Sequence, residues 1–213
     1  MANTNSPFGL RFIGYKGFPP TNSALRERRN GILSTNTTAI YTGDLIKVSA
    51  DGYLYQWTSG STATRSLAGI FRGCRYASSS QQTVVPQKYW PGSDASSGTV
   101  LCQYIDTQGG PSPLFVIQSD ATGVSAADIG ANFDVVVGTG STTTGFSGSY
   151  LDTTSITTAT IAPLQLVELW VNWSMGNSPE GAGSSSSLAP GTAAGAYNWA
   201  VVAVNNVGLG GTV

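Results

Sequence analysis

The chain has no histidine among its 213 residues. This removes the commonest general base and the commonest transition-metal ligand together. A Ser-His-Asp triad, a Cys-His pair and a His-bearing zinc site are all excluded. Cysteine is almost as scarce: Cys74 and Cys102 are the only thiols, too few for a structural zinc site of cysteines alone. No secretory signal precedes them, so two buried free thiols are expected rather than a disulfide. Charge is sparse as well. Charged residues make up 10% of the chain, against about 25% in an ordinary soluble domain. Ser, Thr, Gly and Asn take their place, a surface suited to permanent, crowded assembly. No apolar run is long enough to span a bilayer, and residues 1–10 lack the apolar core of a signal peptide. The sequence therefore predicts a protein made and kept soluble.

The most telling absence is positional. No Lys or Arg follows Lys88. Ten bases against three acids give residues 1–88 a formal charge of +7, and eight acids with no base give residues 89–213 a charge of −8. An isolated enzyme has no obvious use for such a division. A subunit that docks one end onto a charged surface does, because complementary charge steers association and sets orientation. The pI near 5.2 argues against a dedicated DNA binder.

What is present points to short strands broken by turns. Residues 1–31 are expected to form an extended N-terminal arm: they mix polar residues with prolines, and their apolar residues come singly. Phe8, Leu10 and Arg11 would anchor it on a partner, with Arg26, Arg28 and Arg29 as guanidinium contacts. Residues 32–213 are expected to form a β-rich domain. Asp51-Gly52 is the best hairpin signal and suits a type I′ turn. Further strands are expected at 67–71, 100–105, 114–118, 133–137, 154–161, 164–171 and 197–204, with 100–105 and 114–118 paired to each other. Ser125-Ala-Ala-Asp128 has the spacing of a capped short helix. A Ser/Gly/Ala-rich loop is expected at about 176–195. The fold class predicted is all-β: a small barrel or sandwich of short antiparallel strands, with an extended N-terminal arm and at most one or two short helices.

Nothing in the chain carries a clear chemistry. Asp106, Asp120, Asp128 and Asp134 lack the spacing of a calcium loop and read as turn and cap acids. Glu168 sits in an apolar run without an identifiable partner. Gly138-Thr-Gly140 lacks the rest of a phosphate loop. The five tryptophans read as core or subunit packing ahead of a sugar groove. No catalytic residue, metal or cofactor is assigned.

Several short blocks, in order, then carry a resemblance. Asn5-Ser-Pro-Phe-Gly-Leu-Arg11, Gly43-Asp44 followed by Asp51-Gly52, and Leu67-Ala-Gly-Ile-Phe-Arg-Gly73 come first. Phe115-Val-Ile-Gln-Ser-Asp120, Asp128-Ile-Gly-Ala-Asn132, Gly145-Phe-Ser-Gly-Ser-Tyr-Leu-Asp152 and Trp199-Ala-Val-Val-Ala-Val-Asn-Asn206 follow. The order resembles a family of tailed-bacteriophage head proteins similar to capsid cement or decoration proteins. The stretch from Gly176 to Gly195 and the lack of bases after Lys88 depart from that family's pattern. The resemblance implies a non-enzymatic virion protein on the outer surface of an icosahedral head, commonly a homotrimer. Its partner would be the major capsid protein, with no direct nucleic acid or membrane contact. The alternative is a carbohydrate- or receptor-binding β module of a tail spike or adhesin. A small hydrolase using carboxylates is a distant third.

Overall fold

The computed structural model of the chain describes residues 3–16, 25–58, 67–107, 112–157, 162–170 and 195–205. The expected loop at about 176–195 lies, except for Gly195, outside the described residues, as do Arg65 and Trp173.

The described chain is all-β and sandwich-like, with two six-stranded sheets and a small ribbon. The first sheet holds β1 (Arg11–Tyr15), β10 (Pro113–Gln118), β14 (Trp199–Val204), β13 (Leu164–Leu169), β11 (Asn132–Val136) and β12 (Tyr150–Thr157), in that order. The second holds β2 (Leu25–Arg29), β9 (Leu101–Asp106), β6 (Leu67–Ala77), β4 (Leu45–Val48) and β5 (Leu54–Gln56), with β7 (Val84–Gln87) paired to β6. The ribbon pairs β3 (Ile40–Tyr41) with β8 (Tyr89–Trp90). Every pairing of named strands is antiparallel.

Two apolar clusters hold the layers together. Phe115, Ile117, Phe133, Leu164 and Val202 of the first sheet meet Leu45, Leu67, Ile70 and Ile105 of the second. On the far side of the second sheet, Phe71, Cys74, Tyr76 and Cys102 pack with Ile40 and Trp90 of the ribbon. The second sheet is thus covered on both faces. This is why β6 is an apolar run and not an alternating one: Leu67 and Ile70 feed one cluster, Ala68 and Phe71 the other.

The Asp51-Gly52 hairpin forms between β4 and β5, but not as a type I′ turn. Gly52 alone takes positive φ there, at 85°. Its N–H donates to the Ser49 carbonyl at 3.0 Å, and the Ser49 N–H donates to Tyr53 at 2.9 Å. The loop is therefore three residues long and ends on a left-handed glycine. The Ser125 motif makes a single 3-10 turn, Ala126–Asp128. Ser125 donates from both its backbone N–H and its Oγ to Asp128, at 2.7 and 2.8 Å.

Two further expectations need correcting. Residues 101–106 and 113–118 do not pair: β9 lies in the second sheet and β10 in the first. The chain crosses between layers there, so that Ile105 and Phe115 share one core. The N-terminal segment is also not an arm where it is described. β1 pairs with β10, and β2 pairs with β9. Gly9 donates to Ser149 at 3.1 Å and Leu10 to Gly43 at 2.9 Å. Gln118 grips the segment further upstream, accepting from the Ser6 N–H and donating to the Thr4 carbonyl, at 2.9 and 2.8 Å.

Candidate docking surface

The predicted anchors separate into buried and exposed groups. Leu10 is 1% exposed and belongs to the central core, and Phe8 is 7% exposed. Phe8 meets Trp199 edge-on, with ring centroids 4.9 Å apart. Expected as contacts on a partner, both instead serve this chain's own packing, because burying them removes apolar area from water without any partner. Arg11 alternates outward from them. Its guanidinium lies 4.4 Å from the Phe8 ring centroid and 5.5 Å from that of Phe146. Partial burial there pushes its pKa down.

Arg26, Arg28 and Arg29 all lie on the edge strand β2, but alternation divides them between its two faces. Arg26 and Arg28 sit opposite Tyr104 and Cys102, whereas Arg29 sits opposite Leu101. Arg26 pairs with Asp106 at 2.6 Å, and Arg28 donates to the Gly52 carbonyl. Arg29 shares its face with Glu27, and Gln103 donates to Glu27 at 2.7 Å.

That same face continues onto β6 and β7. Arg75 sits opposite both Leu101 and Pro86, and its Nη2 is 3.5 Å from Glu27. The pairing of β6 with β9 shifts register between Phe71 and Gly73. The bulge leaves Arg72 exposed between two buried residues. At Gly73 a Cβ would come within 2.8 Å of the Gln87 carbonyl, so no side chain fills the space between Arg72 and Arg75. A hollow of about 330 Å³ results, bounded also by Lys88, Gln87 and Gln103. Sequence reading missed Arg72, Arg75 and Lys88 as a group. The signal was present as the Arg72-Gly73-Cys74-Arg75 run, but only the bulge and β7 bring them to one place.

Among the described residues the acids each have local structural partners or stand exposed. Asp120 is opposed by partial burial, yet bonds from both groups of Thr153 and from the Thr122 and Gly123 N–H groups outweigh it and hold its pKa down. Asp134 accepts from the Trp57 indole N–H at 3.1 Å. Asp128 is occupied by Ser125, and Asp106 by Arg26. Glu168 is exposed on β13, opposite Val201. Among the described residues Asp44 is the most buried acid, at 1% exposure. It accepts bonds from Ser147, Ser149, Gln56 and the Tyr41 N–H. Burial nevertheless drives its pKa upward. It ties the β3–β4 turn to the loop before β12 and does not line the hollow beside Gly73. Among the described residues no group of three or more His, Cys, Asp or Glu is placed to hold a metal, and no helix is long and apolar enough to cross a membrane. Trp57 and Trp90 are 1% and 0% exposed, so neither ring can stack on a sugar.

No protein-family model matches the chain, and no curated protein or solved structure matches it either.

Proposed function

We propose that this chain is a structural virion protein of the cement or decoration kind. It binds the outer surface of an icosahedral phage head and stabilises contacts between major capsid subunits, most simply as a homotrimer and without catalysis. The observation that carries the proposal is the segregation of charge. All ten bases precede residue 89, and Arg29, Arg72 and Arg75 are exposed on strands of the second sheet, with Lys88 exposed directly after its β7. Such a surface is drawn to an acidic partner face and oriented by it. The low overall charge and the Ser/Thr-rich surface suit dense packing on a shell. In this reading Arg29, the β6 residues Arg72 and Arg75, and Lys88 just after β7 make the contact, while Phe8 and Leu10 hold the N-terminal segment in the sandwich.

The test is co-sedimentation of purified protein with heads that lack it. Saturable binding at a fixed stoichiometry, weakened by salt, is the expected result. No binding at either low or high salt would overturn the proposal and turn attention to a receptor- or carbohydrate-binding role.

A further inference from the structure

The hollow at Gly73 is one half of a longer feature. On the other side of Pro86–Lys88 lies a second hollow of about 390 Å³, lined by Lys88, Tyr89, the hydroxyl-bearing Thr142–Thr144 and Phe146. Both hollows share Pro86, Gln87 and Lys88 as a wall. Phe146 is 38% exposed, and its ring centroid is 5.6 Å from Lys88 Nζ and 5.5 Å from the Arg11 guanidinium. The two hollows together present Arg72, Arg75 and Lys88, with Arg11 at the far margin. Among the described residues only Glu27 stands against these cations, at 3.5 Å from Arg75.

We infer that this groove receives an extended acidic peptide segment, its carboxylates set against Arg72, Arg75 and Lys88 and an apolar side chain set against Phe146. The inference rests on the docking role proposed above and names the chemistry of the partner. The cations set the sign of the occupant. Guanidinium groups favour carboxylates, which they can bind in bidentate fashion. The side-chain amides of Gln87 and Gln103 and the threonine hydroxyls supply bonds to a peptide backbone. An extended occupant matches a groove that runs past the edge strand β7, whose Pro86 lacks an N–H of its own. A nucleic acid fits less well. It needs a long basic track, whereas here the cations are few and residues 89–213 carry −8.

The experiment uses the full chain and a fluorescein-labelled peptide that alternates Asp with Gly around one Phe. Its counterpart has Asn for every Asp, and a labelled single-stranded oligonucleotide forms a third arm. Anisotropy is expected to show salt-sensitive binding of the Asp peptide and at least about tenfold weaker binding of the Asn peptide. Arg72→Glu is expected to weaken the Asp peptide by about tenfold or more. Lys16→Glu, the same charge change at a distance from the groove in the fold, is expected to leave it unchanged. Circular dichroism checks that both variants keep the wild-type fold. Equal binding of the Asn peptide, equal loss in Lys16→Glu, or tighter binding of the oligonucleotide would each overturn the inference. Co-sedimentation of the same proteins with heads separates it from the wider proposal. Peptide binding without head binding sinks the cement reading and leaves the groove. Head binding that Arg72→Glu does not weaken sinks the groove and leaves the cement reading.

Discussion

Cys74 and Cys102 sit directly opposite each other across β6 and β9, and both are free and buried. Burial pushes the Cys74 thiol up to about 12 and the Cys102 thiol higher still. Thiolate is the nucleophilic form, and almost none is present at neutral pH. Both thiols are therefore expected to stay unreactive toward Ellman's reagent at pH 8 in the native protein and to react fully once it is unfolded in denaturant. Rapid native labelling of either one would show that the second apolar cluster opens readily. At this scale the sequence was informative. The expectation of two free, buried thiols agrees with the structure. Their direct apposition was not legible, because register depends on a bulge two residues before Cys74.

Between residue and fold lie the loops that close each strand pair, and Asp94 shows how one is held. After β6, the turn at 78–83 folds over Asp94, which accepts bonds from Ser78 Oγ at 2.6 Å, Ser80 N–H at 2.9 Å and Ser79 Oγ at 3.1 Å. These bonds, led by that from Ser78, hold its pKa down to about 2. An acid whose folded pKa is depressed contributes stability in full above its unfolded pKa, and the contribution is lost as pH falls through the folded value. Wild-type protein is expected to lose stability between about pH 4 and pH 2. Asp94→Asn should be less stable at neutral pH and flatter across that window. Urea unfolding at several pH values reads both effects, and parallel profiles for the two proteins would remove Asp94 from the account. In this part of the chain the start of β6 and the strands β9 and β10 were visible as apolar, β-branched runs, whereas β7 and β8 were not. Strand pairing was not: β9 and β10 are close in sequence and belong to different sheets, since the requirement to bury Ile105 and Phe115 together outranks local hairpin closure.

For the whole molecule, the N-terminal segment decides how the structure is read. Its apolar residues come singly, which suggested an arm without a core. In fact Phe8, Leu10 and Phe12 recur at every second position, the period of a strand that faces a core on one side. Leu10→Ala is accordingly expected to cost about 2–5 kcal/mol of stability, as buried leucines do, in urea unfolding of the full chain. A cost under about 0.5 kcal/mol would mark Leu10 as a surface residue and return it to the role of an external anchor. Deleting residues 2–30 is for the same reason no clean test of head binding. It removes β1 and β2 from their sheets together with a core leucine.

The sequence by itself determined the class of fold and the sign of the surface. Turn residues at short intervals, β-branched and aromatic runs, and the confinement of every base to residues before 89 are properties of composition and order, and they hold in any arrangement of the chain. Tertiary structure alone decided which strands pair, which face of β2 each arginine occupies, and that Arg72, Arg75 and Lys88 border one groove. The physical reason is the same in each case. Alternation along a strand is local, but register, bulges and the sharing of a core between two sheets are settled by burial between residues far apart in the chain.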